Sequence, residues 1–257
     1  MSDTVLFISD LHLSPRRPAM LALFEAFLAG PARRARRLYV LGDLFDYWVG
    51  DDMAGLDPAY GRVQAALAAL AGAGTAVAVC RGNRDFLLGA DFARAAGATL
   101  LGEETVIDLH GRRTLLMHGD SLCSDDLGHQ AWRRQVLDPA WQAEFLALDL
   151  GERVARAQSL RSRSETRKRQ LPSAIMDVTP ETVAACMRRH RVDRLVHGHT
   201  HRPACHRFRL DGAPAERWVL GDWYSRGSVL VCTPAGWTLE TLPPGPAAQP
   251  PRISAGV

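Results

Sequence analysis

Short apolar runs alternate with longer amphipathic stretches along the first hundred residues. Val5-Leu-Phe-Ile8, Leu38-Tyr-Val-Leu41 and Ala76-Val-Ala-Val79 have the form of strands buried on both faces. Between them, Met20, Leu23, Phe24 and Phe27 recur at helical spacing after Pro18, and Gly30-Pro31 ends that run. A second stripe, Val63, Leu67 and Leu70, predicts a helix over Tyr60 to Leu70, and a third helix is expected from about Ala90 to Ala96. Strands alternating with helices predict a mostly parallel sheet.

The pattern then changes. Glu104–Leu109 and Arg113–Met117 flank His110-Gly-Arg and read as a hairpin with a glycine turn. Val192–Val196 is another buried strand, and Ala204–Leu210, Arg217–Leu220, Ser228–Cys232 and Trp237–Leu242 read as an antiparallel meander. These strands predict a second sheet packed on the first, an α/β sandwich in the order α-β-β-α. Residues 122–171 read as a helical cap inserted in a domain spanning 1–242; Asp138-Pro139 starts one helix, whose Trp141, Phe145 and Leu148 share a stripe. The Pro-rich tail, 243–257, is expected to be disordered.

Composition adds limits. A chain of 257 residues with 47% hydrophobic and 23% charged residues can bury a substantial core. A net charge of +3 is too small to argue for nucleic acid, although the stretch from Arg153 to Arg169 is strongly basic. As a helix face that stretch needs only solvent; it also suits a diphosphate or an anionic bilayer. Five cysteines without a CxxC pair, and a strand that starts almost at the first residue, predict a cytoplasmic location. Without an apolar stretch long enough to span a bilayer, any membrane contact is expected to be peripheral.

Candidate chemistry sits where the apolar runs end. Asp10-Leu-His12, Gly42-Asp43-Leu-Phe-Asp46, Gly82-Asn83-Arg84-Asp85, His118-Gly119-Asp120 and His197-Gly-His199-Thr-His201 each follow a run directly. Strand ends converge on one edge of an α/β sheet, where ligands bind. Aspartate, asparagine and histidine together form an oxygen–nitrogen donor set suited to Mn²⁺, Fe, Zn²⁺ or Mg²⁺. The i, i+2 spacing of Asp10 with His12, and of His199 with His201, would put both members of each pair on one side of a strand. Asp43 is the candidate for a carboxylate shared by two ions, and Arg84 can donate to a phosphate in a planar fork. His197 reads as a residue behind the ligands. Taken singly, each cluster also reads as a turn or cap; five in order read as a two-metal site. His110, His129, His190 and His206 fall in no cluster and read as ordinary surface residues.

These ordered clusters resemble those of the calcineurin-like metallophosphoesterases, and within them the bacterial UDP-2,3-diacylglucosamine diphosphatases. The likeness rests on Ile8-Ser-Asp-Leu-His-Leu13, Gly42-Asp-Leu-Phe45 with Trp48 and Gly50-Asp-Asp52, and Gly82-Asn-Arg-Asp-Phe-Leu-Leu-Gly89. It continues through Met117-His-Gly-Asp120, Leu122-Cys-Ser-Asp-Asp126, Ile175-Met-Asp-Val178 and His197-Gly-His-Thr-His-Arg-Pro203, covering about residues 4 to 242. Gly-Asn-Arg, in place of the commoner Gly-Asn-His, is its most specific element.

The resemblance implies one metal held by Asp10, His12, Asp43 and His201, and a second held by Asp43, Asn83, His118 and His199. It implies two Mn²⁺ per subunit, with Mg²⁺, Fe or Zn²⁺ as alternatives. Asp43, His118 and Arg84 would be catalytic. Asn83, Arg84, Asp126, Ser164, Lys168 and His199 would contact substrate, with Trp132, Trp141, Phe145, Leu146 and Leu150 lining an acyl channel. Leu171 stands where this family commonly has lysine, and Lys168 where asparagine is usual; Lys168 or Arg169 can substitute after a small shift. The implied reaction is attack of metal-activated water on the α-phosphate of UDP-2,3-diacylglucosamine, by a monomer on the cytoplasmic face of the inner membrane, in lipid A biosynthesis. The alternatives are another dimetal phosphoesterase acting on soluble or cyclic nucleotides, and a scaffold that has kept the fold without the chemistry.

Overall fold

The computed structural model describes residues 3–168 and 175–243. Its first half follows the alternation of apolar runs. β1 (Val5–Ile8) is buried at every position. α1 (Pro18–Ala29) starts at its proline and stops at Gly30. β2 (Arg37–Leu41) leads through a loop to α2 (Pro58–Gly72), where the Asp57 carboxylate accepts the Ala59 amide at 2.8 Å as N-cap. β3 (Ala76–Cys80), α3 (Ala90–Ala95) and a short β4 (Ala98–Leu100) complete this half.

The hairpin of β5 (Thr105–Leu109) and β6 (Arg112–Leu116) opens the second half. The insertion then forms α4 (Leu127–Val136), α5 (Pro139–Leu146) and α6 (Leu150–Lys168). After it come α7 (Pro180–His190), β7 (Arg194–His197), β8 (Ala204–Leu210), β9 (Ala213–Val219), β10 (Gly227–Thr233) and β11 (Gly236–Leu242). β4 and α7 were not expected from the sequence. For α7 the signal was present: Thr179-Pro180-Glu181 is a helix start, and the buried Val183, Cys186 and Met187 form a stripe.

Two mixed sheets result. One has the order β11-β10-β1-β2-β3-β4, with β1 to β4 parallel; the other has the order β5-β6-β7-β9-β8. The expected single meander is therefore split. β8 and β9 pair in the second sheet, whereas β10 crosses to pair antiparallel with β1 in the first. Hydrophobic patterning describes each hairpin but not the sheet it joins, so the sequence left this crossing open.

Phe7, Tyr39, Leu41, Leu116, Val196 and Trp218 fill the space between the sheets. α1, α2 and α3 cover the outer face of the first sheet, and α7 that of the second. This is the expected α-β-β-α sandwich. Because β1, β2 and β3 run parallel, and β6 and β7 also run parallel, their exits gather at common edges. No helix among the described residues is long and apolar enough to cross a membrane.

Candidate metal centre

All seven residues singled out as ligands converge. Asp10, His12, Asp43 and His118 are buried, at 0%, 4%, 2% and 2% exposure, in spite of their polarity. Such burial requires partners. His201 Nε2 lies 3.1 Å from Asp10 Oδ1, and the Asp43 carboxylate stands between two imidazoles. Its Oδ2 is 3.8 Å from His12 Nε2 and its Oδ1 is 3.7 Å from His118 Nε2. Asn83 Oδ1 lies 3.0 Å from His118 Nε2 and 2.9 Å from His199 Nδ1. Thus His12 and His201 meet Asp10 on one side of Asp43, while Asn83, His118 and His199 meet on the other.

The convergence does not come from strand alternation. β1 ends at Ile8 and β7 at His197, before the paired residues begin. Asp10, His12, Asp43, His199 and His201 instead all have left-handed backbone, with φ between 48° and 66°. They are five of the eight non-glycine residues with positive φ among those described. Each such residue costs about 1–2 kcal/mol, least for Asp and Asn. Concentrating that strain here turns each side chain inward immediately after a strand. Gly42, at φ 87°, has the same role without a side chain; a Cβ there would meet the His118 ring.

The donors fit divalent cations. His12 Nε2 is buried with no hydrogen-bond partner, an orphan that a cation would satisfy. Asp10, His12 and His201 can each bring a ligand atom within 4.8 Å of the others, as can Asp10, Asp43 and His118. Electrostatics agree. Burial pushes the Asp43 carboxyl up, and the like charge of Asp10 adds to this against the pull of His118 and Arg84. Burial also acts against the charged form of His118, but Asp43, Asp10 and Asp120 outweigh it and raise that imidazole to about 9. His201 is raised in the same way, chiefly by Asp10 acting against burial.

A proton therefore occupies, near neutral pH, a position that a metal would need. Binding of a divalent cation is expected to release protons, with affinity climbing as pH rises from neutrality toward about 9. Titration calorimetry in buffers of different ionisation enthalpy checks this; affinity that stays flat over that window would contradict it.

Behind the ligands, His197 is fully buried. Burial, and then Arg217, bring it down to about 3, so it is neutral, with Nε2 taking the Arg217 guanidinium at 2.9 Å. Arg84 is anchored by its backbone: its amide donates to Asp43 Oδ1 at 2.8 Å, and its carbonyl accepts the Trp48 amide at 3.1 Å. Asp126 is buried and accepts the His129 amide as N-cap of α4. The side chains of Ser164 and Lys168, and all of Arg169 and Leu171, lie outside the described residues, as does the tail from 244.

Three residues at the site were missed. His129 packs its ring 5.2 Å from that of His199 and borders two cavities beside the centre. Tyr224 stacks on His12 with ring centroids 5.4 Å apart, and Asp222 Oδ2 lies 3.6 Å from His201 Nδ1. Gly221-Asp222, following β9, repeats the glycine–aspartate strand exit of Gly42-Asp43; that repetition was a usable signal. His129, on a helix with no motif, gave none.

The cap encloses apolar space at this centre. A cavity of 370 Å³ is lined by Trp48, Phe86, Trp132, Trp141, Phe145 and Leu160, with Asn83 and Arg84 on its wall. Trp141 and Phe145 stack at 5.0 Å, and Phe145 also belongs to the core cluster, so the stripe both packs the cap and faces the cavity. Two expectations are corrected. Leu146 is 43% exposed and Leu150 packs against the core, so neither lines this space. Leu146, at the end of α5, follows Phe145 on a different face of the helix, and Leu150 begins α6.

The basic run also reads differently in three dimensions. Arg153 is 4% exposed; it donates to the Val49 carbonyl and pairs with Asp52, fastening α6 to the domain. Arg161 pairs with Asp46. Of the run, Arg156 has the expected solvated position, paired with Glu152.

A family model for calcineurin-like phosphoesterases matches residues 4–203. Among curated proteins, the UDP-2,3-diacylglucosamine hydrolase of Stenotrophomonas maltophilia strain K279a is 48% identical over 246 residues, 93% of this chain and 98% of its own length. The protein of the same name from Aeromonas salmonicida strain A449 is 50% identical over 243 residues, 93% and 94% of the two chains. That from Xanthomonas oryzae pv. oryzae strain PXO99A is 49% identical over 244 residues, 92% and 98%. Among solved structures, the chain is similar to an archaeal phosphodiesterase at 9% identity and a TM-score of 0.48, covering 93% of this chain and 99% of that one. The seven converging side chains thus sit in a sequence that aligns along nearly its whole length with these hydrolases, and the chain belongs to the calcineurin-like phosphoesterase family.

Proposed function

We propose that this protein hydrolyses the diphosphate of UDP-2,3-diacylglucosamine, releasing UMP and 2,3-diacylglucosamine 1-phosphate for lipid A biosynthesis. The observation that carries the reading is the apolar cavity under the cap, which meets the polar cluster at Asn83 and Arg84. A substrate with acyl chains beside a diphosphate needs such a junction; a soluble nucleotide does not. The names of the relatives at about half identity support the same substrate.

Two Mn²⁺ are the proposed cofactors, with Mg²⁺, Fe or Zn²⁺ as alternatives. Asp10, His12, Asp43 and His201 would hold one, and Asp43, Asn83, His118 and His199 the other. Such a pair, when bound, makes a water acidic enough to attack near neutral pH and offsets charge on a phosphate oxygen. The residues supply the rest. Asp43 stands between the two groups of imidazoles, so its two oxygens would serve both positions. Arg84, fixed through both its backbone hydrogen bonds, steadies the charge that grows on the α-phosphate, and Asn83 and His199 border the same phosphate. Asp126, Ser164 and Lys168 would contact the glucosamine and acyl region.

We also place the protein, as a monomer, on the cytoplasmic face of the inner membrane. Two features support the membrane location: an acyl-bearing substrate resides in a membrane, and Leu127 and Leu146 of the cap are 76% and 43% exposed.

The cap provides the test. Trp141→Ala removes apolar surface from the cavity, a loss of about 1.5–3 kcal/mol or roughly 10- to 100-fold in kcat/KM for the lipid substrate. Cleavage of bis-p-nitrophenyl phosphate, which has no acyl chain, is expected to stay at the wild-type level. Equal losses on both substrates, or non-specific diester cleavage without turnover of the lipid-linked one, would sink the assignment.

A further inference from the structure

Beyond the strand ends a single bridge, Leu13 to Phe45, joins the exit loops of β1 and β2, and among the described residues no such bridge joins those of β2 and β3. Something else must fix their spacing. Asp85, 0% exposed, accepts the Gly82 amide at 2.7 Å and the Asp43 amide at 3.2 Å through Oδ1. Its Oδ2 accepts the amides of Leu44 at 2.7 Å and Phe45 at 3.4 Å. One carboxylate therefore collects four backbone donors, three from the loop after β2 and one from the loop after β3.

The linkage continues. The carbonyls of Gly42, Asp43 and Leu44 accept the amides of Asp10, His12 and Leu13 at 3.1, 2.9 and 2.9 Å. The amides of the middle loop thus point to Asp85, and its carbonyls to the loop that follows β1. Asp10, His12, Asp43 and Asn83 lie on these three loops. The loops are also in close contact: a Cβ at Gly82 would collide with Asp43.

We propose that Asp85 is a positioning residue that sets the distance between the two halves of the metal centre by clasping the β2 and β3 exit loops together. The inference rests on the metal reading above but concerns a residue that no ligand assignment includes. It is specific about chemistry. Buried amides need an acceptor, and an ionised carboxylate has enough lone pairs for four of them. An asparagine turns an NH₂ group toward N–H donors and leaves some unpaired.

Asp51 is the matched control. Its carboxylate accepts the amides of Gly89, Asp91 and Phe92 at 2.9, 3.0 and 2.9 Å, and the Trp48 indole N–H at 3.0 Å. It is a clasp of similar size that joins the far ends of the same loops, at Trp48 and Gly89, and bonds none of the amides beside a ligand.

The experiment is Mn²⁺ titration of the purified chain by calorimetry, with circular dichroism to verify folding. Asp85→Asn is expected to weaken Mn²⁺ binding about 10- to 100-fold, as loss of a residue that orients ligands does. Activity should fall at limiting Mn²⁺ and return as Mn²⁺ is raised. Asp85→Glu, which keeps the charge but displaces the carboxylate by a methylene, is expected to show the same loss and provides a folded variant if asparagine is not tolerated. Asp51→Asn should bind Mn²⁺ as the wild type does. Wild-type affinity in either folded Asp85 variant overturns the proposal, as does an equal loss in Asp51→Asn. Failure of the wild-type chain itself to bind Mn²⁺ would overturn the metal reading, and this inference with it.

Discussion

Hydrolysis is expected to fall at least about 10³-fold, or about 4 kcal/mol in transition-state stabilisation, when Asp43 is replaced by alanine. Asp43 is the residue with most to lose. Its two oxygens face imidazoles on opposite sides, at 3.8 and 3.7 Å, and one of them also accepts the Arg84 amide. Removing it takes away the charge shared by both groups of ligands and the contact that seats Arg84. Asp43→Asn keeps the volume and the amide acceptor but loses the charge, so it is expected to retain the Arg84 backbone position while losing most of the Mn²⁺ binding. Unfolding by urea in metal-free buffer, where both variants should stay within about 1 kcal/mol of the wild type, separates loss of the site from loss of the fold. Activity near the wild-type level in Asp43→Ala would mean that the metal centre is misassigned.

The second large effect is expected at Arg84. Its backbone is pinned between Asp43 and Trp48, so the guanidinium leaves from a fixed point onto the wall shared by the cavity and the cluster. Arg84→Ala should lower kcat by about 10²–10³-fold, the usual loss when a preorganised donor to a growing negative charge is removed. Arg84→Lys keeps the charge but not the planar fork, and is expected to recover only part of the loss. Mn²⁺ affinity should be unchanged in both, because Arg84 contributes no ligand atom. This pattern contrasts with Asp43 and with Asp85: kcat falls while metal binding stays. Calorimetry alongside steady-state kinetics on the same preparations distinguishes the cases, and a loss of Mn²⁺ binding in Arg84→Ala would contradict the division of roles.

Much of this was legible in the chain. Short runs such as Val5–Ile8 and Ala76–Val79 are too apolar for anything but central strands, and they became β1 and the body of β3. The polar clusters that follow them mark strand exits, so parallel strands brought them together. What sequence could not show was how they converge. Asp and His tolerate left-handed backbone, but nothing in Asp10-Leu-His12 states that both adopt it, and the i, i+2 argument reached the right residues through the wrong geometry. Asp85 looked like the last letter of a motif, because its function lies in backbone amides that have no sequence code. Arg153 looked like part of a solvated face until the fold buried it against Val49 and Asp52. His129 belongs to a helix whose orientation depends on tertiary packing, so its approach to His199 was invisible beforehand.

The central claim joins a metal centre to a lipid-linked diphosphate, and one measurement addresses both. Purified protein, with Mn²⁺ and with Mn²⁺ removed by chelation, is given UDP-2,3-diacylglucosamine in water enriched in heavy oxygen, and the products are weighed by mass spectrometry. The account predicts Mn²⁺-dependent release of UMP and 2,3-diacylglucosamine 1-phosphate, with the label in UMP because water attacks the α-phosphate. Label in the lipid phosphate, or no turnover of this substrate by a preparation that cleaves simple diesters, would contradict it.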